Sequence, residues 1–202
     1  MIKSKSDLEY YLEEDCRVYD KRLPRSLREH LVNWLFPDSN FEFMVCLRHL
    51  EYHLNKSTGG GSFYHRMLAI YYHRRHAYWR ARTGIELNPN VAGAGLHLSH
   101  GKVVIGFCAQ IGTNCKINSD VTIGAHGSYS ISGAPKIGNR VYIGTGAKIL
   151  GNITIADDVV IGANSVVTKS ITEPGTTWGG IPARKLNDKG SAPFLRLKNN
   201  EK

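Results

Sequence analysis

No stretch of this 202-residue chain is apolar for long enough to cross a bilayer, and its opening MIKSKSDLEYYLEED has no apolar leader core; the expected compartment is cytoplasmic. Cysteine is scarce. Cys16, Cys46, Cys108 and Cys115 show no CxxC spacing and are too few for a disulfide scaffold, so four reduced, mostly buried thiols are expected. There is no helical HExxH motif and no cysteine cluster, which disfavours metal catalysis and leaves no metal expected. Acidic residues are few: 17 Asp and Glu face 26 Lys and Arg, for a net charge of +9. Such an excess attracts phosphates, acidic sugars or an anionic membrane surface, and without a recognised binding module it does not indicate nucleic acid. Much of it lies in YHRRHAYWRARTG, where basic and aromatic residues interleave. That segment reads as a solvated helix face with some subunit packing, or as a peripheral contact to an anion or lipid headgroup.

What the chain does have is a period. From Val104 to Ser170 an aliphatic residue returns every six positions, usually followed by a small one: Ile105-Gly106, Ile111-Gly112, Ile117-Asn118, Ile123-Gly124, then Ile137-Gly138, Ile143-Gly144, Ile149-Leu150, Ile155-Ala156, Ile161-Gly162 and Val167-Thr168. Neither a 3.6-residue helix nor a freely alternating strand demands the same residue type every six. A three-sided parallel β-helix does: each hexad is one flat side and a corner, with the aliphatic residue inside and the small one letting neighbouring coils approach. The phase slips once, between Ile123 and Ile137, which places AHGSYSISGAP in a loop pushed out from a corner.

Residues 1–83 read as helices, 84–186 as the β-helix domain and 187–202 as a C-terminal tail. Ser6 and Glu9 form a capping box ahead of Leu8, Tyr11 and Leu12; Pro24 sits at the first turn of a helix bearing Leu27, Leu31 and Trp34. A third helix runs from Phe41 to about Leu54 and, after Gly59-Gly60-Gly61, a fourth runs from about Phe63 to Arg82 and stops at Gly84. Four such segments are short for an independent core and should pack on the β-helix or across a subunit boundary. Past Arg184 the repeat is exhausted and an extended tail with a frayed end is expected.

His100 leads the candidates for chemistry. It stands where LHLSHGKVVIG enters the repeat, beside Gly101, and imidazole is the usual base for removing a hydroxyl proton near neutral pH. His97 projects from the opposite face of an extended segment, so the two make a poor metal site. Glu86, in GIELNPNV, precedes His100 by close to one coil and could fix its tautomer from the neighbouring level. Further on, the small residues Thr145, Gly146, Ala147 and Ala163 keep a groove open, with Lys169, Arg184 and Lys185 at its far end. An elongated molecule bearing phosphates suits that layout.

Together GIELNPNVAGAGLHLSHG, VTIGAHGSYSISGAPKIG, VYIGTGAKILGNITI, VVIGANSVVTKSI and GGIPARKL resemble the hexapeptide-repeat acyltransferases, and within them the serine acetyltransferase-like branch, over roughly residues 84 to 188. The resemblance implies a left-handed β-helix, a homotrimer with active sites between subunits, and acetyl transfer from acetyl-CoA to a hydroxyl without a metal. It implies that His100 is the base and Glu86 its partner, and that Thr145, Ala163, Thr168, Lys169 and Arg184 contact the coenzyme. Serine acetyltransferases carry an aspartate just before the catalytic histidine and an Arg-His pair before the Pro-Lys-Ile that follows the loop; here Ser99, Gly133 and Ala134 stand there. Each lost charge-assisted contact is worth about 1.5–3 kcal/mol. With the short helical N-terminus, this makes the hydroxyl of a surface-polysaccharide sugar the first expectation for the acceptor. Serine is the second, and a non-catalytic β-helix scaffold the third.

Overall fold

The computed structural model describes residues 1–24, 26–58, 62–125 and 133–197, the side chains of His30 and Trp34 excepted. Most of the expected extruded loop and the Gly59-Gly61 turn lie outside the described residues. Four helices come first: α1 Lys5–Tyr19, α2 Leu27–Leu35, α3 Ser39–Thr58 and α4 Phe63–Thr83. The α1 cap is Ser4, not Ser6. The Ser4 hydroxyl accepts the Asp7 N–H at 3.0 Å, while the Asp7 carboxylate accepts the N–H groups of Lys3 and Ser4, both at 2.8 Å. Starting there satisfies three amides, and Ser6 and Glu9 fall inside the helix. Ser26, accepting from Glu29 N–H, caps α2, so Pro24 precedes the helix instead of opening it. The expected apolar face of α2 is not buried: Leu27 is 89% and Leu31 55% exposed. Helix α4 stops at Gly84, whose φ of 69° is the left-handed conformation that glycine adopts without strain. Among the described residues no helix is long and apolar enough to cross a membrane.

From Ile85 onward short strands, all but the last of them parallel, wind around a triangular core. They are β1 His97–Leu98, β2 Val104–Ile105, β3 Gln110–Ile111, β4 Lys116–Ile117, β5 Thr122–Gly124, β6 Lys136–Ile137, β7 Tyr142–Ile143, β8 Lys148–Leu150, β9 Thr154–Ile155, β10 Val160–Ile161, β11 Val166–Val167, β12 Thr177–Gly179 and β13 Arg184–Asn187. A long face stacks β1-β4-β7-β10-β12-β13, a second face β2-β5-β8-β11, and a third face β3-β6-β9. Bridges from Glu86 to Val104 and from Ala92 to Ile111 begin the second and third faces one coil earlier. The fold is a left-handed β-helix with a helical region before it.

All ten periodic aliphatic residues point inward and are at most 5% exposed. The residue two places before each fills a second inner column, from Val103 through Cys115, Val121 and Val141 to Ser165. Three places after the aliphatic residue the chain turns a corner with positive φ, at Asn114, Asp120, Arg140, Gly146, Asp158 and Asn164. Asn, Asp and Gly tolerate that conformation best, and five of these six corners carry one of them. The small residue after the aliphatic one has the expected purpose at Gly112, Gly138 and Gly144, where an added Cβ would come within 2.4–2.6 Å of an atom of the next coil. All four cysteines are free; Cys46 and Cys115 are buried, Cys16 and Cys108 only partly.

The helical region is pinned to the first coil by a buried guanidinium. Arg48 of α3 donates to Asp15 of α1 at 2.7 Å, to Glu51 at 3.0 Å, and to the carbonyls of Ala92 and Gly93 at 3.0 and 2.7 Å. Up to Leu197 the C-terminal segment is not the frayed extension expected. It forms β13 antiparallel to β12, then doubles back over the long face. Ser191 is fully buried and bonds Asp158 and the Arg140 carbonyl, Phe194 stacks on Tyr142 at 4.6 Å, and Arg17 of α1 holds the Arg196 carbonyl. Burial of Ser191 and Leu197 outweighs the loss of the repeat.

Candidate functional site

His100 sits in the corner between the long and second faces, on the bend that joins β1 to β2, and its side chain is exposed. Gly101 is needed there because an added Cβ would lie 2.1 Å from the Thr83 carbonyl oxygen. This corner holds one residue more than the corners below it, since seven positions separate Leu98 from Ile105 but six separate Ile117 from Ile123. Asp120 N–H to the Lys102 carbonyl, 2.8 Å, and Lys102 N–H to the Thr83 carbonyl, 3.1 Å, hold the widened bend.

The helical region fixes the strand leading into it. Tyr19 of α1 accepts the Leu98 N–H at 3.0 Å and donates to the Leu98 carbonyl at 3.3 Å, and Asn40 of α3 donates to the same carbonyl at 3.1 Å. Sequence reasoning missed both clamps, because nothing local joins residues 19 and 40 to 98. The Ser99 hydroxyl oxygen, next to His100, is buried without a hydrogen-bond partner among the described residues. His97 lies on the long face, its ring against Tyr19 at 4.7 Å. Burial first, and then the charges of Lys116 and Arg196, push its pKa down to about 4 and keep it neutral. Among the described residues no group of three His, Cys, Asp or Glu side chains could hold a metal ion.

Stacking of the coils decides which expected residues meet. Thr145 and Ala163 occupy the same corner as His100, two and three coils further along, because β4, β7 and β10 lie in register beneath β1. At roughly 4.8 Å per coil, His100 and Ala163 are about 14 Å apart along the axis. Both small residues are exposed, and Gly144 between them packs against the Ala163 backbone so closely that no side chain fits. Arg184 continues this edge: it opens β13 opposite Gly179, after a turn in which Ala183 N–H bonds the Val166 carbonyl at 2.9 Å. The edge is thus a shallow, small-residue track with a histidine at one end and an exposed arginine at the other.

Thr168 and Lys169 are not on that track. They follow β11 at the corner between the second and third faces. Lys185 is not a free cation, since Glu173 at 2.5 Å and Asp188 at 2.6 Å hold its ammonium. Glu86 is exposed on the first rung of the second face, opposite Val104, and no hydrogen bond joins it to His100.

Residues 134–169 match the family described as bacterial transferase hexapeptide (six repeats). The chain is 42% identical over 123 residues to a serine acetyltransferase of Helicobacter pylori, covering 55% of this chain and 72% of that one. A soybean serine acetyltransferase complexed with serine superposes with a TM-score of 0.67 at 32% identity, over 90% of this chain and 70% of that one. A Brucella abortus serine acetyltransferase in complex with coenzyme A superposes with a TM-score of 0.67 at 32% identity, over 92% and 70%.

These likenesses overturn the expectation of a polysaccharide sugar as acceptor. A superposition over 90% of the chain takes in the helices, so they are shared with a serine acetyltransferase of which the chain spans 70%. The missing charges argued on Ser99, Gly133 and Ala134 also lose their force. Ala134 is buried and Gly133 partly so, and Ala134 therefore packs instead of addressing an acceptor. The scaffold expectation falls with it, because the relatives are enzymes.

Proposed function

The chain belongs to the serine acetyltransferase family of hexapeptide-repeat transferases, and from that premise we propose that it transfers the acetyl group of acetyl-CoA to the hydroxyl of L-serine. It is an acetyl-CoA-dependent O-acetyltransferase. The observation that carries the reading is the common edge of His100, Thr145, Ala163 and Arg184. Exposed backbone and small side chains along about three coils suit the narrow arm of the donor, and Arg184 suits its phosphates.

The donor supplies an acyl carbon activated as a thioester. His100 takes the proton from the serine hydroxyl as that oxygen attacks the acyl carbon, and returns it to the sulfur as the carbon–sulfur bond breaks. Backbone N–H groups at the corner are suited to steady the negative charge that forms on the acyl oxygen. The role of Glu86 is to orient the imidazole from the adjoining rung. A homotrimer fits the placement of Thr168 and Lys169. In one protomer they sit on a different corner from Thr145 and Ala163, and a three-fold arrangement sets one protomer's corner against another's.

The test is serine-dependent release of free thiol from acetyl-CoA by the purified protein. Wild type should turn over with L-serine, and His100→Ala should lose about 100- to 10,000-fold of that rate while keeping its circular dichroism and its binding of CoA. No thiol release with serine would remove the proposed acceptor; full activity in His100→Ala would remove His100 as base.

A further inference from the structure

Helix α4 is apolar on two opposite sides, and only one of them is covered. Ala69, His76, Trp79 and Thr83 are buried, the side packed on α3. The opposite side carries Phe63, Met67, Ile70, Tyr71 and Tyr78, between 49% and 76% exposed, with Tyr64 at the flank. At 3.6 residues per turn Arg74 falls in the middle of this stripe, with Arg66 on one margin and Arg82 on the other. All three arginines are exposed, and none has an ion-pair partner among the described residues. The helix contains no acidic residue. Beside it, α2 leaves Leu31, Val32, Leu35 and Phe36 between 48% and 79% exposed, and Asn33 of α2 faces Arg75 and Tyr78 of α4 across a shared groove.

We infer that this α2–α4 face docks the protein on an anionic lipid surface. The charge pattern suits that occupant: Arg66, Arg74 and Arg82 lie along the stripe with no carboxylate on the helix to neutralise them, and a second copy set two-fold across it would oppose like charges. An anionic bilayer instead takes the aromatic and aliphatic side chains at the level of its headgroups and meets each arginine with phosphate. The inference does not depend on the acceptor, because the face lies on the helical region and shares no residue with the His100 edge.

Co-sedimentation of the full chain with vesicles tests it. Vesicles of phosphatidylcholine with phosphatidylglycerol should bind the protein, pure phosphatidylcholine vesicles should not, and binding should weaken as salt rises. Each arginine near such a surface contributes about fivefold in affinity, so Arg66→Glu/Arg74→Glu/Arg82→Glu should weaken binding by about a hundredfold or more. Met67→Ser/Ile70→Ser keeps the charge and should also weaken binding, which separates docking of the stripe from attraction by net charge alone. Thiol release in solution should be unchanged in both variants and certifies that they are folded. Absence of binding to the anionic vesicles, or equal binding by wild type and both variants, overturns the proposal. So does a smaller sedimenting species in either variant, since that would show another copy of the chain covering the face.

Discussion

Arg48→Met is expected to cost about 3–5 kcal/mol, because it withdraws the cation that faces two buried carboxylates and leaves their charge uncompensated. The side chain is fully buried, and Asp15 and Glu51 are each 1% exposed or close to it. Their remaining partners include the N–H groups of Gly95 at 2.8 Å and Asn90 at 2.7 Å, and the carbonyls of Ala92 and Gly93 would lose their donor in the same step. For a chain of this size the loss corresponds to a fall in melting temperature of about 6–20 °C. The pH dependence follows from Asp15. Burial lifts its carboxyl above the ordinary value of 3.8, while Arg48 and the hydrogen bonds it donates pull the other way. A raised folded-state value means that this group's stabilising contribution is complete below 3.8 and is lost as pH rises through the raised value. Removing Arg48 removes the opposing pull, raises the value further and deepens that loss. The gap between wild type and variant, measured by thermal melting at one protein concentration, should therefore be wider at pH 7 than near pH 4. A variant that melts within about 2 °C of wild type at pH 7, or a gap that ignores pH, would refute the reasoning.

Gly112→Ala should destabilise the coil by about 1–3 kcal/mol or more, since its Cβ would lie 2.5 Å from the Gly138 carbonyl oxygen, whereas Gly124→Ala should be nearly neutral because none of the described residues lies within 4 Å. Urea titration of the pair checks this, and equal midpoints would dismiss coil contact as the reason for the glycines. His53 and His76, both buried, have pKa values pushed down from 6.5 to about 4, His53 by burial and then by His65 and His49, His76 by burial and then by Arg80. Their stabilising contribution is present above 6.5 and lost as pH falls through about 4, at most about 3 kcal/mol each. Melting temperature should decline from pH 6.5 to 4, and a flat profile would count against both. Glu86→Gln should lower kcat about 10- to 100-fold and alter the pH–rate profile while leaving the KM for acetyl-CoA in place; an unchanged kcat would take Glu86 out of the site.

The β-helix was legible because its rule is local and repeated. Ile105 to Val167 state the period, and every one of them is buried. A second statement in the same residues went unread: Asn114, Asp120, Asp158 and Asn164 recur three places after the aliphatic residue, at corners that need positive φ. The helix start at Ser4 was ambiguous because Ser4 with Asp7 and Ser6 with Glu9 offer the same spacing, and only the amides actually satisfied decide between them. What no local pattern could reveal is contact at long range. Arg48 reaches from α3 to Asp15 and Gly93, Tyr19 clamps Leu98, and Ser191 folds back to Asp158, each across 33 residues or more of chain.

The misreading of the acceptor has a physical origin. Reading Ser99, Gly133 and Ala134 as disqualifying assumed that a carboxylate and an ammonium must be met by the same positions that meet them in related chains. The coil geometry places Ala134 inside, where it packs and cannot address a ligand, and the Ser99 oxygen is buried as well. With serine as the proposed acceptor, the groups that meet it would come from elsewhere around the His100 corner or from a neighbouring copy of the chain. Lys102 is the nearest cation in sequence, on the widened bend itself. Its backbone φ of 62° is strained for a side-chain-bearing residue and would suit glycine better. Lys102→Gly should then stabilise the bend or leave it unchanged while raising the KM for L-serine if the ammonium meets the carboxylate. An unchanged KM for serine would leave the ammonium with no part in acceptor binding.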